Sequence, residues 1–389
     1  MEQTLDRNYP EPIEQVYELV VAPRQKADRL DAFITRSIEH ATRTRVQKAI
    51  ERGTVTVNGI TSKSNYKIRP GDVVRVVVHK PPPMQLVPEN IPLVILYEDE
   101  YLIVVDKPAG MPVHPGIGNR YGTLVNAILW HGGQRVPIDV LGNRESLEDA
   151  DDMDSEEGQD EDDIEVSAYT DTDELGNSDE GVFSSAAVRP GIVHRLDKET
   201  SGVMVVGKTY ESTVGLSQQF AARTVNREYV ALAWGVVHED VLHIETSFGR
   251  STRDRKLHAV LAHGGKYAAT DVTVVERYTC ATLITCKLRT GRTHQIRVHL
   301  AYKKHPLVGD KDYGGREAAL TSIHHLFRRQ AQSALGYIQR QALHARSLAF
   351  THPVTNERLE FTSSVPADFL SVVHALRPAE AGQLPQCLR

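Results

Sequence analysis

The chain has 389 residues, of which 40% are apolar and 25% are charged, proportions that are ordinary for globular proteins. This length is enough for two or three domains. No apolar run approaches the roughly eighteen residues that a membrane-spanning helix needs, and the charged N-terminus lacks the pattern of a signal peptide. We therefore expect no membrane association.

The net charge of −6 combines two regions of opposite sign. Residues 139–188 contain nineteen Asp or Glu and one Arg, a net charge of −18, which leaves +12 for the rest of the chain. The acidic segment is poor in aromatic residues, so we predict a disordered insertion. It could be a passive insertion, a partner-binding segment or a strip that mimics RNA, and we favour the first. The positive remainder fits a polyanionic partner.

The three cysteines, Cys280, Cys286 and Cys387, lack the spacing of a metal site. Cys280 and Cys286 lie in or beside a strand-like run, which predicts buried free thiols and a reducing, cytoplasmic compartment. His294 and His299 are five residues apart, which is poor metal geometry on a helix. We therefore expect no metal site.

The first elements belong to a small α/β module. Residues 1–17 are typical of a loosely ordered tail, and the module follows over residues 18–80. Apolar spacing and turn residues predict two helices and then strands, at residues 29–34, 42–50, 55–57 and 73–78.

One face of the second predicted helix is basic. Residues 24–69 hold eleven Lys or Arg against four Asp or Glu, and Arg43, Arg45 and Lys48 recur at helical spacing. Such a face is either simply solvated or a surface for an acidic partner.

A larger domain is predicted over residues 88–375, after the stiff linker Pro81-Pro82-Pro83. Its expected elements are strands at 93–96 and 102–105, a helix at 123–130, a core segment from 188, a helix at 211–222, and alternating strands and turns over 227–300. Residues 376–389 are predicted to be an unstructured tail.

Residues 194–202, His-Arg-Leu-Asp-Lys-Glu-Thr-Ser-Gly, carry the strongest chemical signal. They predict a loop that enters a buried strand, with Asp197 beside Arg195 and against apolar walls. A carboxylate in that environment is suited to attack carbon. An ordinary ion pair on a surface loop is the alternative.

Residues 202–209 match the sequence pattern of a nucleotide-binding phosphate loop, but their residue types do not suit such a loop. Val-Met-Val-Val occupies the four central positions, and these residues favour a buried strand over a loop that curls around phosphate. We therefore expect no nucleotide cofactor.

Three segments in order resemble the Rlu-type (large ribosomal subunit) branch of the pseudouridine synthase family: residues 194–202, 226–235 and 288–300. Weaker similarities lie at residues 102–110, 305–310 and 343–345. The N-terminal module, with two helices, Val-Thr-Val-Asn-Gly and Pro-Gly-Asp, resembles the S-four RNA-binding domain. This resemblance implies an α+β fold with a central, mostly antiparallel mixed sheet flanked by helices, and a cleft across its middle.

The resemblance also implies an activity and its residues. Uracil is detached from its ribose, turned and rejoined through carbon, without a cofactor. Asp197 maps onto the essential carboxylate, whose step remains open between attack on the sugar, attack on the base and removal of a sugar proton. Arg297 maps onto its ion-pair partner, with Arg292 as the alternative partner or a phosphate contact.

Three further residues take roles from the same resemblance. Tyr229 maps onto the tyrosine that stacks on the target base and can transfer a proton. Arg195 is expected to enter the gap left when the uridine leaves the RNA stack. His194 is expected either to orient the loop or to contact phosphate.

The implied partner is RNA, most plausibly large-subunit ribosomal RNA, with transfer RNA as a second option. The basic face with Arg43, Arg45 and Lys48 would then dock RNA. A non-catalytic RNA-binding assembly factor is the alternative function. We expect a monomer.

Overall fold

The computed structural model describes residues 13–39, 41–80, 85–116, 119–139, 191–254, 256–378 and 382–389. The acidic insertion predicted over 139–188 lies outside these residues, apart from Asp139. The described chain divides into two compact units, one before and one after the Pro-rich linker. No helix in the described ranges is both long and apolar enough to cross a membrane.

The first unit packs two helices on a small antiparallel sheet. Its elements are β1 (Ile13–Val20), α1 (Leu30–Ser37), α2 (Arg43–Glu51), β2 (Val55–Val57), β3 (Ile60–Thr61) and β4 (Val73–Lys80), with strand order β1-β4-β2-β3. Leu30, Ile34, Val46 and Val74 lie in its core. The two predicted helices are confirmed.

The predicted N-terminal tail is wrong from residue 13 onward, because residues 13–17 belong to β1 and pair with β4. β1 is an edge strand with one exposed face, and Tyr17 and Leu19 pack against the core from the other face. The exposed face carries Val16 and Val20 as well as Glu14 and Glu18, so the segment lacks a clean alternation of apolar and polar residues. Residues 1–12 lie outside the described ranges.

The second unit is larger. Its strands are β5 (Gln85–Leu86), β6 (Val94–Glu98), β7 (Leu102–Lys107), β8 (Ile138–Asp139), β9 (Ser201–Gly207), β10 (Asn226–Trp234), β11 (Val241–Arg250), β12 (His258–Leu261), β13 (Lys266–Arg277), β14 (Ala281–Leu288), β15 (Leu343–Thr351) and β16 (Arg358–Thr362). Its helices are α3 (Leu124–His131), α4 (Tyr210–Ala221), α5 (Gln295–Tyr302), α6 (Glu317–Leu320), α7 (His325–Tyr337) and α8 (Ala367–Leu376), followed by a 3-10 helix (Gln386–Leu388).

Ten strands of the described chain form one mixed sheet, in the order β12-β11-β13-β14-β10-β15-β9-β7-β6, with β16 paired to β15. β15 and β9 run parallel, whereas the other pairs are antiparallel. The predicted fold, a central and mostly antiparallel mixed sheet flanked by helices, is confirmed.

Both faces of the sheet are covered, as strand β10 illustrates. Successive side chains of a strand point to opposite faces. Tyr229, Ala231 and Ala233 pack with residues of α3 and α5, while Val230, Leu232 and Trp234 pack with residues of α7 and α8. Cys280 and Cys286 are buried free thiols, as predicted.

Hydroxyl residues fix where two of the helices begin. Thr123 and Asn126 form a capping box at the start of α3, and Thr209 and Ser212 form one at the start of α4. Each box satisfies backbone N–H groups that have no partner inside the helix. The predicted starts of these helices are therefore correct to within a residue.

Strand β9 is buried along its whole length. It contains residues 202–207 of the string that fits a phosphate loop, so the prediction of a buried strand is confirmed. By contrast, α5 occupies residues that were predicted to alternate between strands and turns.

The predicted C-terminal tail is also wrong in part. Residues 386–388 form a 3-10 helix, and Leu388 is 3% exposed in the core shared with Val365 and Phe369. Arg346 donates to the carbonyl oxygen of Arg389. A single buried leucine at a chain end leaves little pattern in the sequence.

We predict that Leu388→Ala lowers the free energy of unfolding of the second unit by at least about 2 kcal/mol, because it removes a buried side chain and leaves a cavity. Chemical denaturation of the full chain measures the change. Leu326→Ala, at a position 69% exposed, is the matched control and should have little effect. Equal effects of the two substitutions would show that the C-terminal segment is not docked in solution.

Candidate functional site

A cavity of about 410 Å³ opens over the middle of the large sheet. Its walls come from the loop before β9, from α4, from the start of β10, and from the segment between β14 and α5. The cavity brings together six of the predicted site residues: His194, Arg195, Asp197, Tyr229, Arg292 and Arg297. This volume lies within the range of small-molecule sites and suits a single nucleotide.

Asp197 lies on a tight turn that leads into β9. The N–H of Thr200 donates to the carbonyl oxygen of Asp197 at 3.0 Å, which closes the turn. Gly202 follows with φ of +123°, and a Cβ there would lie 2.1 Å from the carbonyl oxygen of Ala345. Glycine is therefore required at this position after Thr-Ser. The side chain of Asp197 is 17% exposed on the cavity wall.

Arg297 does pair with Asp197, but Asp197 is only one of its partners. Nη1 lies 3.3 Å from Oδ2 of Asp197, while Nε and Nη2 bind the two oxygens of Asp310 at 2.8 Å each. Nη2 also lies 2.6 Å from Oδ2 of Asp312. The predicted Asp197–Arg297 ion pair is thus present as one corner of a larger cluster.

The cluster is buried and strongly charged. Arg297 is 5% exposed and Asp310 is fully buried. Burial disfavours the guanidinium charge, but the hydrogen bonds and charges of the carboxylates, Asp310 first, outweigh it and raise the pKa of Arg297. Asp310 was missed as a site residue, although it ends the weakly similar string 305–310.

His294 is a second missed neighbour of Asp197. Its Nε2 lies 3.9 Å from Oδ1 of Asp197, and its Nδ1 is 2.8 Å from the hydroxyl of Tyr313. The ring of Tyr313 also lies under the guanidinium of Arg297, 4.9 Å from Cζ to the ring centroid. In the sequence, the only indication that His294 belongs to the site is its position three residues before Arg297.

Tyr229 forms part of the cavity wall from strand β10. Burial raises the pKa of its hydroxyl, so the phenol is protonated at neutral pH. Its ring gives the cavity an aromatic surface beside Leu343 and Ile296. A neutral phenol in this place can stack on a base and can donate a proton.

Arg227 lines the same cavity and was not predicted. Its Nε is buried without a hydrogen-bond partner, and the described residues offer its guanidinium no carboxylate. The guanidinium lies over the ring of Phe220 at 5.5 Å, and burial lowers its pKa. Such a group attracts an anionic or carbonyl oxygen of a ligand.

His194 is directed into the protein. Its Nε2 accepts a hydrogen bond from the backbone N–H of Val205 at 3.1 Å, and its ring stacks on Phe220 at 4.6 Å. Burial lowers the pKa of His194 to about 3, so the ring is neutral. Of the two roles expected for it, this geometry supports orientation of the loop and not a contact with phosphate.

The two remaining arginines that were predicted for the site, Arg195 and Arg292, differ in their contacts. Arg195 is exposed at the mouth of the cavity. Arg292 donates from Nε to the carbonyl oxygen of Tyr267 at 3.5 Å. It is therefore Arg297, and not the alternative Arg292, that makes the ion pair with Asp197.

Lys107 supports the loop from below. This fully buried lysine donates from Nζ to the carbonyl oxygens of Pro108, Met111 and Lys198, at 2.9, 2.9 and 3.2 Å. Burial lowers its pKa to about 7. Lys107 thereby ties the end of β7 to the residue after Asp197.

The predicted basic residues of α2 lie in the first unit. The carboxylate of Asp31 is fully buried there and accepts hydrogen bonds from Arg29, Gln47 and Arg43. Burial opposes its charge, but these bonds outweigh burial and hold the pKa of Asp31 well below its usual range. Arg43 therefore has a structural contact, although its side chain is half exposed.

Arg45 and Lys48 complete the predicted basic face. Lys48 is exposed and Arg45 is partly exposed on the same helix.

In the described part of the chain, no cluster of three or more His, Cys, Asp or Glu has the geometry to hold a metal ion. The cavity presents a carboxylate, a phenol, imidazoles and guanidinium groups.

We predict that Asp310→Asn lowers the free energy of unfolding by about 3 to 5 kcal/mol, because it leaves a buried guanidinium without its main partner. Thermal or chemical denaturation measures the loss. Asp312→Asn removes a carboxylate from the same guanidinium at a position 47% exposed, and should cost less than about 1 kcal/mol. Similar losses for the two variants would contradict the assignment of Asp310 as the main partner.

We predict that His194 makes the protein less stable in acid. Its folded pKa of about 3 lies below the value of about 6.5 in an unfolded chain. Between these values the unfolded state binds the extra proton, so stability falls as the pH falls through this window. The stability gap between wild type and His194→Gln should shrink by about 1.4 kcal/mol from pH about 7.5 to about 5.5. Denaturation at the two pH values measures the gap, and a constant gap would argue against a neutral buried imidazole.

Comparisons with known proteins identify the family of the chain. Residues 101–302 match the model of the family described as RNA pseudouridylate synthase, and residues 28–74 match the S4 domain. A protein of Chlorobaculum parvum called an uncharacterized RNA pseudouridine synthase is 39% identical, over 92% of this chain and 97% of its own length.

Two relatives carry more specific names. The ribosomal large subunit pseudouridine synthase D of Neisseria meningitidis is 39% identical over 91% of this chain and 80% of its own length. The chloroplastic RNA pseudouridine synthase 2 of Arabidopsis thaliana is 38% identical over 93% of this chain and 83% of its own length. Because the family model spans more than half of the chain and these relatives cover nearly all of it, the chain belongs to the RNA pseudouridine synthases, a family of isomerases, and carries an S4 RNA-binding domain.

Proposed function

We propose that this protein isomerises uridine to pseudouridine in large-subunit ribosomal RNA, on a nucleotide turned out of the RNA helix into the cavity. The observation that carries the proposal is the ion pair of Asp197 and Arg297 on the wall of a nucleotide-sized cavity. The choice of RNA is supported by the name of the relative from Neisseria meningitidis. The S4 domain and the positive charge of the chain outside its acidic insertion add support.

Asp197 provides the reactive carboxylate. The reaction breaks the bond between N1 of uracil and C1′ of ribose, and forms a bond between C5 and C1′ while the hydrogen of C5 is lost and N1 gains a proton. Attack on the sugar, attack on the base and removal of a sugar proton all need a free lone pair on this carboxylate. Arg297 binds Oδ2 of Asp197 and so restricts the carboxylate, while Oδ1 has no hydrogen-bond donor among the described residues.

Tyr229 and Arg227 hold the base and its backbone. The buried ring of Tyr229 offers a stacking surface, and its protonated hydroxyl can serve proton transfer. The desolvated guanidinium of Arg227 binds a phosphate or carbonyl oxygen of the extruded nucleotide. In this proposal Asp197 reacts with the nucleotide, while Tyr229 and Arg227 hold its base and backbone.

Arg195 and the S4 domain position the RNA. Arg195 is exposed at the mouth of the cavity, where its planar guanidinium can fill the place of the extruded base. Arg43, Arg45 and Lys48 of α2 dock the RNA through its phosphates. The buried free thiols Cys280 and Cys286 fit a reducing compartment such as the cytoplasm.

We predict that the purified protein releases the C5 hydrogen of uridine from large-subunit ribosomal RNA, and that Asp197→Asn abolishes this release while RNA binding stays within about twofold, since catalysis and docking use different groups. Tritium release from RNA labelled at C5, followed by mapping of pseudouridine, measures the activity. Filter binding measures the affinity. Asp240→Asn, at an exposed position of the same domain, is the matched control and should be fully active.

Transfer RNA and small-subunit ribosomal RNA serve as competing substrates in the same assay. Modification of transfer RNA alone would replace the proposed substrate and keep the reaction. Full activity of Asp197→Asn would contradict the assigned role of the carboxylate. Absence of modification in all three RNAs, with binding retained, would favour a non-catalytic assembly factor.

A further inference from the structure

His294 has an unusual backbone for a residue with a side chain. It adopts φ of 59° and ψ of 17° at the start of α5, in the left-handed region. Few residues other than glycine adopt this conformation, and where they do, strain often marks a functional position. Its carbonyl oxygen accepts a hydrogen bond from the N–H of Val298 at 2.9 Å, but its side chain makes no hydrogen bond to cap the helix, so the side chain is available for another contact.

The imidazole is instead directed at the reactive carboxylate. Nε2 lies 3.9 Å from Oδ1 of Asp197, the oxygen that Arg297 leaves free. The ring packs edge-on against His258 and Tyr313, at centroid distances of 5.9 and 5.6 Å. These two rings limit the movement of the imidazole.

The hydroxyl of Tyr313 fixes which nitrogen carries the proton. This oxygen accepts a hydrogen bond from the backbone N–H of His258 at 3.1 Å and lies 2.8 Å from Nδ1 of His294. Burial raises the pKa of Tyr313 to about 12, so the hydroxyl keeps its proton, and Nδ1 is its acceptor among the described residues. A neutral imidazole that accepts at Nδ1 carries its own proton on Nε2.

The charge state of the imidazole agrees with this arrangement. Burial lowers the pKa of His294, with Asp197 opposing the shift and the charge of Arg297 adding to it. The ring is therefore neutral at the pH at which Asp197 reacts. Nε2 lies 3.9 Å from Oδ1, which is longer than a hydrogen bond, so the contact forms when the carboxyl group turns toward the imidazole.

We propose that His294, with its tautomer set by Tyr313, is a positioning residue that holds the second oxygen of Asp197 through Nε2–H while Arg297 holds the first. The carboxylate is then fixed in the plane from which it meets the ribose or base. The inference rests on the proposed role of Asp197 in uridine isomerisation. Its effect is on orientation, because a neutral N–H directs the carboxylate without pairing its charge.

His294→Asn tests the proposal against a merely structural role. Asn tolerates the left-handed backbone at least as well as His, but its shorter side chain does not reach Asp197. We expect a melting temperature no lower than that of wild type, RNA affinity within about twofold, and a single-turnover rate about tenfold to a hundredfold lower. His243→Asn, at an exposed histidine of β11, is the matched control and should retain the wild-type rate.

The tautomer provides a test that needs no RNA. Nitrogen NMR of protein labelled in its histidines, with His294 assigned by its loss in His294→Asn, should show a proton on Nε2 and a bare Nδ1. In Tyr313→Phe the Nδ1 acceptor loses its donor, so the resonances should shift toward a mixture of tautomers and the single-turnover rate should fall. Tyr337→Phe, an exposed tyrosine, should leave both unchanged.

Two results would overturn the inference: a proton on Nδ1 of His294 in the wild-type protein, or a wild-type single-turnover rate in a folded His294→Asn variant. The rate is measured on whichever uridine-containing RNA the wild-type protein modifies, so a wrong ribosomal substrate does not affect this outcome. Full activity of Asp197→Asn would instead remove the proposed function itself.

Discussion

The site depends on one buried guanidinium, that of Arg297, and on the carboxylates that share it. Removing such an ion from water is costly unless its N–H groups are bonded. Asp310 bonds two of them in a bidentate pair, which fixes the plane of the guanidinium and joins α5 to the loop after it. Asp197 therefore meets a donor that is already held in place. His294 directly precedes the same helix, so the two side chains that lie near Asp197 both come from the start of α5.

The sheet supplies the rigidity that this arrangement needs. Asp197 precedes β9 and Tyr229 lies in β10, and both strands are bonded to β15 in the middle of the sheet. Helices cover both faces there, so the strands are packed on all sides. Lys107 adds a tie from β7 to the residue after Asp197. A reactive loop supported by central strands is held to a narrower geometry than one at a sheet edge.

Much of this could be predicted from local pattern, and what could not depends on distant contacts. The apolar run of β9 and the Thr-capped starts of α3 and α4 could be predicted, because each depends on residues within a few positions in the sequence. Helix α5 could not be predicted in this way, because its β-branched residues favour a strand and the residue before it, His294, takes a left-handed backbone. The Asp310 pair, the edge strand β1 and buried Leu388 likewise depend on partners that are remote in the chain or in another element.

Two arginines of the cavity show how one residue type serves opposite purposes. Carboxylates take four of the five N–H groups of Arg297, so its role is to place Asp197. Arg227 is partly buried with its Nε shielded from solvent, yet the described residues give it an aromatic ring and no carboxylate. An isolated protein gains nothing from a desolvated cation without an anion, since the lost hydration is not recovered. A phosphate or carbonyl oxygen of RNA that enters the cavity can accept hydrogen bonds from this guanidinium. The cavity therefore stabilises the bound nucleotide with a charge that has no carboxylate partner among the described residues.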